Sequence, residues 1–147
     1  MSDLKTQLRE IDEQIQELRN KRYRLEKQDI MDFKEQAQAN VGRCFLINGH
    51  TYVKVVGVPQ EINTMTGFSF DRYHYPALYL RYKTNDIQRL RMNKVKPIFP
   101  FHEDTLSSNA WESGVDILGT RYEEITPEEF NTEFEKKMQE FRERIGI

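Results

Sequence analysis

The sequence contains little of what most catalytic and metal-binding sites require. Its single cysteine, Cys44, excludes an internal disulfide and a cysteine-based metal site. The three histidines, His50, His74 and His102, lie far apart, without the spacing of a metal-binding pair. No GxSxG, P-loop, HExxH or GxGxxG motif occurs, and no nucleophile has an identifiable base. We therefore predict a binding protein that is not an enzyme and that uses no metal or cofactor.

Long apolar runs are missing as well. No stretch of about 18 or more apolar residues is present to cross a membrane, and residues 1–40 are charged throughout, unlike the apolar segment of a signal peptide. The 147 residues suffice for one modest core. Because 31% of them are charged and only 37% hydrophobic, part of the chain is expected to be a solvent-exposed helix. We expect a soluble protein of the cytoplasm.

The chain begins with a strong helix signal. Neither glycine nor proline occurs before Gly42, and apolar residues recur at alternating intervals of four and three, a heptad seam in which Arg22 is the one polar member. We predict that residues 1–40 form an oligomerisation helix, in a coiled coil or exchanged between subunits, because so narrow a seam covers too little area to dock on a small β-domain. The alternative is a helix lying along its own domain. The seam consists of Leu4, Leu8, Ile11, Ile15, Leu18 and Leu25.

The segment 44–58, CFLINGHTYVKVVGV, predicts a β-hairpin. Asn48-Gly49 between two β-rich runs is the signature of a two-residue type I′ turn. Pairing Ile47 with His50 defines two faces of the hairpin. The expected core face carries Cys44, Leu46, Thr51, Val53 and Val55, and the other carries Phe45, Ile47, His50, Tyr52 and Lys54.

The stretch 72–96, RYHYPALYLRYKTNDIQRLRMNKVK, carries seven Lys or Arg residues and one acid, Asp86, with tyrosines among them. It follows a predicted loop at 60–66 and a short strand from Gly67. The stretch itself predicts two strands joined by a tight turn at 84–86, each with an apolar face and a basic-aromatic face. Such a face suits an anionic ligand with flat rings; the alternative is a solvated outer face, although a solvated face ordinarily mixes both charges.

The charge distribution supports the first interpretation. Residues 41–100 hold 9 basic and 3 acidic groups, whereas residues 101–147 hold 5 basic and 12 acidic groups. A local positive field on an acidic protein favours a compact anionic ligand over non-specific tracking of a polyanion. The candidate ligand-binding residues are Phe68, Phe70, Tyr73, Tyr75 and Tyr79 for stacking, Arg72, Arg81, Arg89, Arg91 and Lys94 for phosphates, and Asn93 for a base edge or ribose hydroxyl.

The remaining elements close the domain. We predict a flexible turn at 107–114 carrying Trp111, and strands at 115–118 and 121–125. Thr126 and Pro127 are an N-cap and a first helical residue, and Gly146 ends that helix, 127–145. Its apolar stripe is predicted core: Phe130, Phe134, Met138, Phe141 and Ile145. The fold class is therefore α+β, with a β-rich ligand-binding domain at 41–147 built on a small antiparallel sheet or barrel.

This layout resembles a known family. A charged N-terminal helix, then VGRCFLINGHTYVKVVGV, a basic β-domain and EEITPEEFNTEF opening a helix resemble small accessory proteins of phages that infect Firmicutes, and most of all the Thoeris anti-defence 1 sponge proteins. The resemblance covers the order of elements along the whole chain. It implies dimers that assemble further and that sequester cyclic ADP-ribose signals without cleaving them, in the host cytoplasm.

Three functions follow as hypotheses. The first is a homo-oligomer that sequesters a small nucleotide, a cyclic ADP-ribose isomer or a cyclic oligonucleotide. The second is a nucleic-acid-binding module that uses the same basic face. The third is an inhibitor or adaptor that contacts a host protein through the coiled coil or the acidic C-terminal third.

Overall fold

The computed structural model of the protein describes residues 2–64, 67–83, 92 and 98–147, with backbone alone at residues 2, 61–64 and 67–70. The architecture is α+β, as predicted, with a long N-terminal helix, a five-stranded antiparallel sheet and a C-terminal helix. The chain divides into two compact units, Met1–Gln36 and Ala37–Ile147, close to the predicted boundary after residue 40.

The first helix, α1, spans Ser2–Ala37 and is followed by a 3-10 turn, Gln38–Asn40. Polar side chains four residues apart bond along its surface, as Arg22 does to Glu26 at 2.8 Å, and such pairs stabilise a helix modestly. The predicted helix is confirmed. The apolar side chains of the seam are 42% to 66% exposed, so the identity of their partner stays a prediction.

The second unit is built on two sheets. The elements are β1 (Cys44–Ile47), β2 (Thr51–Val55), β3 (Glu61–Thr64), β4 (Gly67–Phe70), β5 (His74–Tyr79), β6 (His102–Ser107), α2 (Ser108–Ser113), β7 (Tyr122–Ile125) and α3 (Pro127–Ile145). The larger sheet has the order β6-β5-β2-β1-β7, and the smaller pairs β3 with β4. All described pairs are antiparallel.

The hairpin of β1 and β2 forms, but its register differs from the predicted one. Asn48 and Gly49 take φ values of 52° and 73°, and the His50 N–H donates to the Ile47 carbonyl at 3.1 Å. Strand pairing, however, begins with Ile47 opposite Thr51 rather than His50. The turn was predicted correctly, and one additional residue follows it before the ladder begins.

This single residue changes which side chains share a face. Opposite residues of an antiparallel pair lie on the same face, so Phe45 shares one with Val53 and Cys44 shares the other with Lys54. The predicted core face was therefore right for Thr51, Val53 and Val55 of β2 and wrong for β1, because a one-residue slip moves every side chain of one strand to the other face. The first face carries Phe45, Ile47, Thr51, Val53 and Val55, all buried, and the second carries Cys44, Leu46, Tyr52 and Lys54.

Helix α3 covers the second face. The Thr126 hydroxyl accepts a hydrogen bond from the Glu129 N–H at 3.2 Å, and Gly146 ends the helix at φ 80°, so both predicted ends are confirmed. Phe130, 2% exposed, anchors the helix. It belongs to a core cluster with Cys44, Leu80 and Ile125, against which Leu46, Tyr52, Leu78, Phe101 and Phe134 pack. The predicted apolar stripe is thus core at its N-terminal half.

Helix α2 covers part of the first face. Trp111 is buried, its ring stacks on Phe45 with centroids 5.0 Å apart, and it contacts Tyr75 at 5.1 Å. The predicted flexible turn at 107–114 is therefore wrong. It is a short helix held by the burial of its one large aromatic side chain.

Two further predictions about connections need correction. Residues 115–118 do not form a strand, because Val115 makes a single bridge to Arg121 and the chain then turns between Asp116 and Gly119. The predicted loop at 60–66 contains β3, which pairs with the correctly predicted strand β4. β5 also has different neighbours: it pairs with β2 and β6, whereas the predicted partner, near residue 90, lies outside the described residues.

Candidate functional site

The described part of the basic stretch places its charges at two ends of β5. Arg72 and Tyr73 precede the strand and Arg81 follows it. The six residues of β5 span about 17 Å at the usual rise per residue. These predicted ligand-binding side chains therefore do not converge on one point within a single chain.

The two tyrosines within β5 belong to the core. Tyr75 is 3% exposed and its hydroxyl accepts a hydrogen bond from the Asn40 amide at 3.0 Å. Tyr79 is 5% exposed and its hydroxyl donates to the Thr105 carbonyl at 2.6 Å. Neither ring offers an open surface for a ligand base. Burial, aided by the Asp104 carboxylate, raises the pKa of Tyr79 to about 12.

The predicted residues outside this strand fall into two groups. Tyr73 is 52% exposed and Arg72 half-buried, so both are accessible. Phe68 and Phe70 lie on β4, where the backbone alone is described. Arg89, Arg91, Asn93 and Lys94 lie outside the described residues.

A turn before β5 fixes the orientation of Tyr73. One Asp71 carboxylate oxygen accepts hydrogen bonds from the backbone N–H groups of Tyr73, at 2.9 Å, and His74, at 3.2 Å. The other oxygen contacts Nδ1 of the His74 ring. These hydrogen bonds, that of the Tyr73 N–H first, hold the pKa of Asp71 below its usual value. These hydrogen bonds stabilise the turn, in which the Tyr73 side chain is exposed.

The opposite end of β5 carries a group that we call the Arg81 corner, made of Tyr79, Arg81 and His102. The Arg81 guanidinium lies 4.8 Å from the centroid of the Tyr79 ring, which is cation–π geometry. The His102 ring stacks on Tyr79 at 5.4 Å and 12°, and its Nδ1 lies 3.0 Å from the Arg81 carbonyl oxygen. With Nδ1 donating to that carbonyl, Nε2 of the ring is left to face a ligand or solvent.

Arg81 is the free cation of this corner. Within the part of the chain that the structure describes, its side chain is exposed and forms no ion pair. Its contact with Tyr79 orients the guanidinium without using its five N–H donors. Lys83, two residues on, is exposed as well. A guanidinium held in place beside a ring suits a phosphate or another flat anion.

The surroundings are less purely basic than the sequence suggested. Register places Glu103 and Asp104 of β6 opposite Leu78 and Ala77 of β5, so two acids lie beside the strand that connects Arg72 and Arg81. The sequence could not reveal this pairing, because the two strands are separated by more than twenty residues. Among the described residues of this stretch, the basic side chains are Arg72 before β5 and Arg81 and Lys83 after it.

A second arginine, Arg43, was not singled out in the sequence, and it forms a structural network. It makes a two-pronged contact with the Glu124 carboxylate, with N–O distances of 3.1 and 2.9 Å, and donates to the Asn40 amide oxygen at 2.9 Å. Its guanidinium also lies 5.2 Å from the Trp111 ring. Because its donors are already paired, Arg43 stabilises the sheet edge rather than awaiting a ligand. No local pattern links residues 43 and 124.

Other chemistry is limited in the described chain. Cys44 is buried, its thiol donates to the Gly42 carbonyl at 3.3 Å, and burial raises its pKa, which makes it an inert core residue. Among the described residues, no three His, Cys, Asp or Glu side chains are grouped to hold a metal ion. None of the described helices is long and apolar enough to cross a membrane.

Comparisons with known proteins assign neither a family nor a function to the chain. No protein-family model, no curated protein and no solved structure matches the chain.

Proposed function

We propose that the protein is a homo-oligomer that binds and sequesters a small anionic nucleotide, without cleaving it, at the Arg81 corner. The observation that carries the proposal is the Arg81 guanidinium, oriented by the Tyr79 ring and left without an ion pair in the described chain. An arginine held in this way has already lost much of its side-chain freedom, so less entropy is lost when a phosphate binds.

In this proposal each group of the corner has one task. Arg81 binds a phosphate through two parallel N–H donors, and His102 offers Nε2 to a phosphate or a hydroxyl group. The exposed ring for a base is Tyr73, which lies at the other end of β5. A ligand that uses both therefore takes Arg81 and Tyr73 from different copies of the chain, which is one reason for proposing an oligomer.

A second reason is the exposed seam of α1. Six large apolar side chains at heptad spacing are more apolar surface than a solvated helix face ordinarily carries, and a second helix of the same kind would cover them. Sequestration by a multi-copy binder is also what the resemblance to the Thoeris anti-defence 1 sponge proteins implies for a phage protein that acts against a host signal.

The test is nucleotide binding by wild-type protein and by Arg81→Ala. Isothermal titration with cyclic ADP-ribose and with a cyclic dinucleotide should give affinity for one of them, weakened at least about tenfold by the substitution. The control is Arg9→Ala, which removes an arginine at an exposed position of α1. This variant should bind the nucleotide as the wild type does. Native mass spectrometry should recover the ligand unchanged.

Other results would point elsewhere. Equal affinity in Arg81→Ala and wild type would contradict the site. If affinity instead rises with the length of single-stranded DNA and falls steeply with salt, the ligand is nucleic acid. No binding of any probe, with a host protein that co-purifies at a fixed ratio, would favour the inhibitor hypothesis.

A further inference from the structure

The loop before β7 exposes two aliphatic side chains almost completely. Ile117 is 101% exposed and Leu118 is 87% exposed. We call this pair the tip. Single exposed apolar residues are ordinary in proteins, but two adjacent ones with no covering side chain form a projecting apolar surface.

The tip is held rigidly by the residue before it. The Asp116 carboxylate accepts hydrogen bonds from the backbone N–H groups of Leu118, at 2.9 Å, and Thr120, at 3.0 Å, and its second oxygen accepts one from the Tyr122 hydroxyl at 3.3 Å. The Gly119 N–H closes the turn onto the Asp116 carbonyl at 3.0 Å. The two apolar side chains are thus presented outward by a fixed backbone, so little conformational entropy is lost when they bind.

A cleft of about 510 Å³ lies directly beside the tip. Val115, two residues before Ile117, is part of its wall, and Leu46 supplies a second apolar side chain. Gly49 and Gly114 also line it, and an added Cβ at Gly49 would meet nothing within 4 Å, whereas one at Gly114 would approach only a backbone oxygen at 4.0 Å. A projecting apolar group and a recess therefore occupy one surface of the molecule.

The rim of the cleft adds complementary charge. Arg121 and Glu123 both line it, two residues apart on the same side of the chain. Within the described residues, neither side chain forms an ion pair. This surface carries a cation and an anion, and a projection and a recess. When a two-fold axis brings two copies together, each group can therefore meet its complement on the other copy.

From this self-complementarity we infer that the surface is a two-fold contact between copies of this chain. The tip of one copy occupies the cleft of the other, and Arg121 of each faces the partner's Glu123. This contact uses residues of the second unit alone. A lipid surface is the poorer occupant, because Glu112, Asp116 and Glu123 give the loop a negative charge that anionic lipid repels.

The experiment is sedimentation equilibrium on full-length protein in which the α1 seam is disrupted by Leu8→Glu and Ile15→Glu. This variant should remain a dimer through the tip. Adding Ile117→Asp and Leu118→Asp should give a monomer, with an unchanged circular dichroism spectrum because the substituted side chains are exposed. If the seam variant is already monomeric at every concentration, the inference is wrong, whatever the nucleotide titrations show.

A charge exchange distinguishes self-contact from contact with another protein. In the seam variant, Arg121→Glu alone and Glu123→Arg alone should each weaken the dimer by about tenfold, because each places like charges opposite one another twice. The double exchange should restore the dimer. The proposal would be wrong if the double exchange did not recover the affinity of the dimer. It would also be wrong if a monomer bound lipid vesicles and the tip substitutions abolished that binding.

Discussion

The two long helices of this protein carry the same kind of sequence pattern but differ in how far their apolar side chains are buried. α3 presents an apolar stripe whose first member, Phe130, is almost fully buried against the sheet. α1 presents a seam of comparable regularity in which every apolar member remains substantially exposed. Regular spacing therefore predicts that a helix forms and which side is apolar, but it does not predict whether the chain itself supplies the partner.

The burial of α3 follows from the element that precedes it. α3 begins directly after β7, where Thr126 and Pro127 turn the chain, and β7 pairs with β1. Because β1 contributes Cys44 to the second face, α3 starts beside the surface that it covers. The side chains of α1 are exposed throughout the described part of its first 25 residues. We propose that a second copy of the chain covers the seam.

The largest test of this contrast is to remove the seam. Leu8→Glu with Ile15→Glu should abolish association through α1, because each Leu or Ile that is buried contributes about 1.5–3 kcal/mol. Four such side chains are lost from a pair of helices, a total comparable with the roughly 8 kcal/mol of a micromolar complex. Sedimentation equilibrium should show the mass fall from that of the wild type to that of the dimer joined through the tip, and dilution should lower the helical circular dichroism signal.

The control for the seam is the opposite side of the same helix. Glu13→Ala with Asn20→Ala changes two exposed residues seven apart, as the seam variant does, and should leave the mass unchanged. A seam variant with the wild-type mass at all concentrations would show that α1 is not an oligomerisation helix.

The second test removes the anchor of α3. Phe130→Ala should lower the free energy of unfolding of the second unit by about 3–5 kcal/mol, the usual cost of deleting a buried phenylalanine side chain. Urea denaturation followed by tryptophan fluorescence measures it, since Trp111 is in the same unit. Glu135→Ala, on the exposed side of α3, should change the free energy by less than about 0.5 kcal/mol. Equal effects of the two substitutions would mean that α3 does not contribute to the core as described.

Much of the fold followed from local signals. α1, the turn at Asn48-Gly49, and α3 with its cap at Thr126 were predicted because each is decided by residues close in sequence. The faces of the hairpin were not, because one additional residue after the turn cannot be read from composition. α2 was missed because six residues are too few to show a helical period, and its helix depends on the burial of Trp111 against Phe45, far away in the chain.

The candidate site was predicted less well, for a related reason. Alternation along β5 was interpreted as one buried and one exposed face, which is the usual pattern of an antiparallel sheet. In this protein both faces of β5 are covered, and so Tyr75 and Tyr79 are core residues. The first face, which carries Tyr75 and Tyr79, is covered by Trp111 and His102, which no local pattern connects to β5. Arg81, just past the strand, stays exposed as expected.

The contrast between buried α3 and exposed α1 concerns apolar side chains, and Tyr79 extends it to a polar group. The chain itself supplies a hydrogen-bond acceptor for the buried Tyr79 hydroxyl. Tyr79→Phe removes the donor to the Thr105 carbonyl and should destabilise the second unit by about 1 kcal/mol.

The pH dependence of the stability is the more specific measurement of the Tyr79 hydroxyl. The folded-state pKa of Tyr79 is raised from 10.0 to about 12, so the protonated phenol is favoured in the folded protein. Its contribution to stability is complete below pH 10 and is lost as the pH rises through about 12. Urea denaturation of the wild type should therefore show stability falling across that interval, with a smaller fall in Tyr79→Phe. Tyr73→Phe, at an exposed tyrosine, should retain the wild-type profile; parallel profiles for all three proteins would mean that the Tyr79 hydroxyl is not buried in solution.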